Sequence, residues 1–222
     1  MLIQKWGILN HRDPSSISKS KLKKYLPREC TIIDCGAHIG SDSVELAKIF
    51  PGSQIHSFEP VPGVYERLKW NTRKFKNITC HKLALSDSSG VSKMYISSGS
   101  SDGSSSLLKP TGHLQDHPDT YFENTADVST ATLDEWADVN GISKVEFLWL
   151  DMQGFELNML RASKKIFDTV KVIHTEVSTK ETYEGVSLFG EYKRYLQSKG
   201  FNVIIEAIPA GWDMGNVLFV KQ

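Results

Sequence analysis

A chain of 222 residues is long enough to bury a full core, and one domain is the most economical reading. Its 26 basic and 26 acidic residues balance, so no overall field points to nucleic acid or to a membrane surface. No apolar run reaches the length of a membrane span, the start lacks a signal-peptide core, and Cys30, Cys35 and Cys80 are odd in number and unclustered, so a reducing, cytoplasmic setting is expected.

Residues 1–29 read as an N-terminal extension that could act as a lid, and residues 30–222 as the domain proper. Trp6, Ile8 and Leu9 are apolar, residues 13–16 break the chain, and residues 17–26 suggest a short helix with Leu22, Tyr25 and Leu26 inward. The lysines Lys19, Lys21, Lys23 and Lys24 read first as a solvated face, and second as a basic rim for an acidic or phosphorylated substrate. The first strand is expected over 30–34, followed by a glycine turn and a helix opened by a capping box, Asp42 with Glu45. Strands over 54–59 and 78–83 flank a helix opened by Pro60 and Pro62, and residues 91–96 alternate as an extra strand. Residues 97–124 lose all periodicity and read as a long inserted loop, reaching to about 126, with a short strand over 128–131. Thr132 and Glu135 cap the next helix, and residues 145–151 and 170–177 are buried strands. An amphipathic helix carries Leu188, Tyr192, Tyr195 and Leu196, and strands over 201–207 and 216–220 are too close for a crossover, so they pair antiparallel. The class is α/β.

Four strand ends carry acids: Asp34, Glu59, Asp87 and Asp151. Ligands of an open α/β sheet bind beyond the carboxyl ends of its strands, where strand order reverses, so Asp34, Glu59 and Asp151 are expected to border one crevice. Gly36 and Gly40 make a tight turn into a helix N-terminus, but His38 stands where a dinucleotide loop has its middle glycine. A pyrophosphate needs close backbone approach there. A loop with a histidine suits a phosphate-free nucleoside, S-adenosylmethionine, whose ammonium or sulfonium Asp34 would favour. Glu59, about 20 residues past the loop, is placed to accept both ribose hydroxyls, where a 2′-phosphate would need a basic group.

These motifs also resemble a known family. Asp34-Cys35-Gly36-Ala37-His38-Ile39-Gly40, Phe58-Glu59-Pro60, Ala84-Leu85-Ser86-Asp87, Thr132-Leu133-Asp134 and Asp151-Met152-Gln153-Gly154-Phe155-Glu156 occur in the order seen in FkbM methyltransferases. The resemblance implies a class I methyltransferase: a Rossmann-like seven-stranded sheet, mostly parallel with an antiparallel C-terminal hairpin. It implies O-methyl transfer from S-adenosylmethionine to a hydroxyl, often of a sugar or polyketide. By that resemblance Gly36, Ala37, His38 and Gly40 would line the methionine half of the cofactor. Glu59, with Pro60 beside it, would hold the ribose, and Ala84 and Leu85 would approach the adenine. Ser104, Ser105 and Ser106 fall where the family often has serines near its site. Two positions depart from the pattern: His38 replaces a common asparagine and Trp149 a common lysine.

Methyl transfer uses an already activated methyl group, so the protein mainly aligns and desolvates. An alcohol acceptor must also lose its proton, to a base or through a metal. Asp151 is the first candidate base, followed by Glu156, His174 and Glu176; core packing competes for His174, and helix-dipole compensation for Glu156. A divalent metal held by some of these acids is the second route, although no tight ligand motif demands one and no metal ligand is assigned. The expected partner is a small-molecule or glycan acceptor, with no nucleic acid, because basic charge and an Asn/Asp-Pro-Pro-aromatic motif are both lacking. Two rivals stand beside this reading. Tyr195-x-x-x-Lys199 has the spacing of an NAD-dependent short-chain dehydrogenase, although Tyr195 falls on an apolar stripe; the other rival is a non-catalytic cofactor-binding module.

Overall fold

The apolar run after Cys30 forms β1 (Thr31–Cys35), buried beyond its first residue, in a computed structural model that describes residues 14–222. Trp6, Ile8, Leu9 and Asp13 lie outside the described residues. α1 (Ser41–Ile49), β2 (Gln54–Phe58), α2 (Pro62–Thr72) and β3 (Ile78–His81) continue the alternation. β4 (Ala84–Leu85), β5 (Gly90–Gly99), the single turn α3 (His113–Asp116) and β6 (Thr120–Ala131) follow. The chain ends with α4 (Leu133–Asn140), β7 (Phe147–Leu150), α5 (Glu156–Ala162), β8 (Val172–Ser178), α6 (Phe189–Ser198), β9 (Phe201–Ala207) and β10 (Met214–Lys221).

Seven strands make one sheet in the order β3-β2-β1-β7-β8-β10-β9. β1 pairs parallel with β2 and β7, and β10 lies antiparallel to both β8 and β9. The chain therefore walks outward from β1 to β3 and returns to β7, which opens a crevice at the carboxyl ends of β1 and β7. One core on one face gathers Leu133, Trp136, Leu157, Leu160 and Tyr192 against Ile33, Leu148 and Ile173. The other face buries Ile32, Leu46, Phe50, Phe147 and Trp149.

Three sequence expectations change. The expected loop is shorter and the strand after it longer: residues 100–119 stay irregular apart from α3, but β6 runs for 12 residues, pairs antiparallel with β5, and joins β4 in a separate three-stranded sheet. Its exposed residues mix Tyr121 with Glu123, Asn124 and Thr125, so backbone pairing holds it without any apolar alternation to read. The capping box at α1 does not form. Gly40, with φ 88, is the N-cap, while Asp42 and Glu45 bind the Lys19 ammonium at 2.6 and 2.7 Å. Lys19 is consequently no part of a solvated face: it is 6% exposed, whereas Lys21, Lys23 and Lys24 face solvent. Residues 19–24 wind as a 3-10 turn that buries Ile17, Leu22 and Leu26 on the α1 side of the sheet. Each such side chain contributes about 1.5–3 kcal/mol by leaving water.

At α4 the expected cap is present: Thr132 Oγ1 accepts the Glu135 N–H at 3.2 Å, and Gly141 closes the helix with φ 67. Among the described residues, no helix is long and apolar enough to cross a membrane.

Candidate functional site

The turn after β1 is shaped by contact with the end of β7. Gly36 has φ 77, and a Cβ there would stand 1.8 Å from the Asp151 carbonyl oxygen, so only glycine fits. The N–H groups of Gly36 and Ala37 donate to the Phe58 carbonyl at 3.1 and 2.9 Å, locking the turn onto the end of β2. His38 follows with φ 48, and its N–H donates to Glu59 Oε2 at 3.1 Å; Val61 N–H donates to Glu59 Oε1 at 2.8 Å. Each Glu59 oxygen thus keeps lone-pair capacity for a ligand hydroxyl. Burial pushes this carboxyl up to about 7, against the two backbone donors, with Asp102 adding to the rise.

Around these groups lies a cleft of about 580 Å³. Gly36, His38, Glu59, Pro60, Ala84, Leu85 and Asp151 all line it. Phe58, Met94, Leu107 and Phe155 add apolar wall, and three carboxylates, Glu59, Asp102 and Asp151, face it with no lysine or arginine among the lining residues.

Asp34, Ala37 and Gly40 are not in that lining. β1 alternates, so Cys35 turns into the cleft and Asp34 turns toward α1, where Ser43 Oγ donates to its Oδ2. Burial, then the nearby Asp42, pushes Asp34 up to about 8, so it is a protonated internal acid rather than a cofactor counter-ion. Ala37 packs in the turn, and Gly40 lets α1 approach α2: a Cβ there would meet Leu68 Cδ1 at 2.8 Å. Asp87 engages Ser86 and Ser88 instead of the crevice.

The serine-rich stretch folds over the cleft. Asp102 accepts from His38 Nε2 at 2.8 Å and from Arg67 Nη1, and Ser105 and Leu107 join the wall. Ser106 Oγ donates to the Gln153 carbonyl at 2.8 Å. The serines lie near the cleft as the resemblance implies, whereas Asp102 sits in a stretch with no periodic signal to mark it. His38 gains an explanation here: its ring reaches the covering loop.

Of the candidate bases, Asp151, Glu176 and Glu156 come together. Gln153 Nε2 donates to Asp151 Oδ1 at 2.7 Å and lies 3.4 Å from Glu176 Oε2. Burial pushes Asp151 up to about 6; Gln153 opposes the rise and Asp42 adds to it. Glu156 accepts the Met152 and Gly154 N–H groups at 2.7 and 3.3 Å, closing the turn at the start of α5 as the helix-dipole reading expects. Burial pushes it up to about 7. Beyond this turn lies a second, small cavity lined by Gln153, Glu176, Thr182, Tyr183, Ser187 and Met214.

His174 stands apart. It stacks on Trp149 at 3.5 Å with an interplanar angle of 3°, lines neither cavity, and is pushed down to about 3 by burial and then by Lys19. The Lys19 ammonium lies 4.5 Å from the centre of the Trp149 ring. Trp149, at the position where the family pattern has a lysine, thus carries a lysine cation over its ring that arrives from the N-terminal segment. Burial would lower Lys19, yet Asp42 and Glu45 outweigh it and hold the ammonium above its usual value. Tyr195 is a packing residue: its hydroxyl donates to the Leu160 carbonyl at 3.2 Å, and its ring stacks on Phe167. Among the described residues, no group of three or more His, Cys, Asp or Glu side chains is arranged to hold a metal ion.

The family model for the methyltransferase FkbM domain matches residues 34–203. The chain is 30% identical over 159 residues to the 2-O-methyltransferase NoeI of Sinorhizobium fredii strain NGR234, covering 69% of this chain and 65% of NoeI. It is 25% identical over 196 residues to Methyltransferase 1 of Beauveria bassiana, covering 81% of this chain and 75% of that protein. Among solved structures, the FkbM methyltransferase from Methylobacillus flagellatus KT is similar with a TM-score of 0.57 at 15% identity, over 89% of this chain and 45% of that one. That likeness bears out the fold: a mostly parallel seven-stranded sheet with an antiparallel C-terminal hairpin.

Proposed function

The chain belongs to the FkbM family of S-adenosylmethionine-dependent methyltransferases, and from that premise we propose that it methylates a hydroxyl oxygen of a sugar or glycan. One observation carries the donor side: Glu59, Asp102 and Asp151 line the cleft, and no lysine or arginine does. An acid-lined cleft suits a cationic sulfonium ligand and opposes a pyrophosphate. The apolar Phe58, Leu85, Met94 and Leu107 give an adenine its surface, and Glu59 gives a ribose its acceptor. When bound, S-adenosylmethionine supplies a methyl group already activated by its sulfonium. The protein's own residues do the rest: the covering loop excludes water, and Asp151 takes the proton of the acceptor hydroxyl. A carboxyl near 6 is ionised at neutral pH and still accepts a proton from a hydroxyl in transit.

The acceptor is proposed to approach across the turn from Asp151, where Glu176, Thr182 and Ser187 line a small polar pocket. The printed name of NoeI, a 2-O-methyltransferase, supports oxygen as the methylated atom. Methyl-labelled S-adenosylmethionine incubated with a panel of mono- and oligosaccharides tests the proposal. The expected product is an O-methyl sugar formed with one equivalent of S-adenosylhomocysteine. Tight S-adenosylhomocysteine binding without transfer to any hydroxyl would overturn the acceptor reading, and saturable NADH binding followed by its fluorescence, with no S-adenosylhomocysteine binding, would overturn the donor reading.

A further inference from the structure

We propose that Gln153 is a positioning residue, which fixes Asp151 for proton removal and joins it to Glu176, so that the cleft and the polar cavity behind it act as one site. The proposal rests on the reading of Asp151 as the base. Gln153 sits at the boundary between the two cavities, between Met152 of the cleft and Gly154 of the cavity. Its backbone has φ 53, a conformation that non-glycine residues avoid and that the surroundings must hold in place. The holding contact is visible: Ser106 Oγ donates to the Gln153 carbonyl at 2.8 Å, from the loop that covers the cleft.

The side chain is equally constrained. Its amide nitrogen carries two hydrogens, and two carboxylates face it: Asp151 Oδ1 at 2.7 Å and Glu176 Oε2 at 3.4 Å. Its amide oxygen faces a donor, the Tyr183 hydroxyl at 3.2 Å, which shares its proton with the Ser104 carbonyl at 2.8 Å. The three neighbours thus determine which end of the amide is which. Tyr183 is 1% exposed, so its ring anchors this arrangement in the interior.

The chemistry at this position favours an amide. A glutamate would add a third carboxylate between two acids, and an aliphatic side chain would leave Asp151 Oδ1 without its donor, while Tyr183 would keep only the Ser104 carbonyl. An amide donates whether Asp151 is ionised or protonated. With Oδ1 held, Oδ2 takes the acceptor proton: the acceptor O–H bond breaks, the proton moves to Asp151, and the electron pair stays on the acceptor oxygen. The charged or titratable groups around Asp151 are Asp34 from β1, Asp42 from α1, Glu156 from α5, Glu176 from β8, and Tyr183. Gln153 donates against this acidic field.

The test uses Gln153→Met, which keeps the volume and removes the donor, and Gln153→Glu, which adds charge. The Asp151 carboxyl is titrated by carbon-13 NMR in the S-adenosylhomocysteine complex, with its signal assigned by Asp151→Asn. Both variants are expected to titrate about one pH unit or more above the wild type, Gln153→Glu the furthest, with S-adenosylhomocysteine affinity within threefold. The acid limb of methyl transfer should move up by the same amount. Unchanged titration of Asp151 in folded Gln153→Met overturns the proposal. The titration needs no acceptor, so a shifted carboxyl in a protein that methylates no hydroxyl would fail the O-methyl reading alone. An unmoved carboxyl in an active enzyme would fail the Gln153 assignment alone.

Discussion

Glu59→Gln changes one atom and tests the donor side of the site. In the wild type the carboxylate accepts the His38 N–H at 3.1 Å and the Val61 N–H at 2.8 Å, and both oxygens retain capacity for the ribose hydroxyls. An amide must turn its NH2 toward one of those backbone donors, so one N–H loses its acceptor and one ribose hydroxyl meets a donor. Hydrogen bonds to a charged group contribute about 1.5–3 kcal/mol each, roughly twice the neutral value. Replacing two charged acceptors by one neutral acceptor therefore costs about 2–4 kcal/mol. At 1.4 kcal/mol per decade, that weakens S-adenosylhomocysteine binding by about 30- to 1,000-fold. Calorimetric titration at pH 8 measures it. The wild type carries a second signature. Glu59 lies near 7 in the empty cleft, and the ligand hydroxyls favour its ionised form, so wild-type affinity should fall as pH drops below 7 while Glu59→Gln stays flat. A variant Kd within threefold of wild type, or a wild-type Kd indifferent to pH between 6 and 8, refutes the reasoning.

Two further outcomes follow from charges elsewhere. Burial and Asp42 raise Asp34 to about 8, so the native chain keeps this proton between about pH 4 and 8 while the unfolded chain releases it. The associated stability is full below pH 4 and is lost as pH rises through 8; Asp34→Asn should flatten that decline and be the more stable protein at pH 8. Thermal unfolding at pH 5 and pH 8 checks this, and equal pH slopes in both proteins would contradict it. Asp102→Ala releases His38 and Arg67 from the covering loop. These are half-exposed pairs of roughly 0.2–1 kcal/mol each, about 0.4–2 kcal/mol together, so stopped-flow dissociation of S-adenosylhomocysteine should accelerate about two- to thirtyfold, with Tm lowered by a few degrees at most. An unchanged dissociation rate would show that the contacts do not retain the ligand.

Much of the sheet was legible because its signals are local. Apolar runs bounded by Gly36, Pro51-Gly52 and Gly141, together with the Thr132 cap, mark strands and helices without knowledge of the fold. Glu59 was legible for the same reason, as an acid at a strand end a fixed distance after a glycine turn. What escaped depends on partners distant in sequence. β6 is largely polar along its length and exists because β5 pairs with it. Lys19 looks like its exposed neighbours until Asp42 and Glu45 approach it from α1. The strand period could have turned Asp34 away from the cleft, but only once the side occupied by Cys35 was known. Asp102, Gln153 and Tyr183 come from turns and loops, where spacing says nothing about which atoms meet. Much of the cleft lining was therefore readable from local signals, while the network behind Asp151 depends on contacts between distant segments.

In the proposed reaction the cleft between the ends of β1, β2 and β7 holds the methyl donor beside Asp151. A crystal structure with S-adenosylhomocysteine measures this most directly. Expected are both ribose hydroxyls on Glu59, the adenine against Leu85 and Met94, and the sulfur facing Asp151. A nucleoside bound outside this cleft, or a ribose that does not contact Glu59, would contradict that placement.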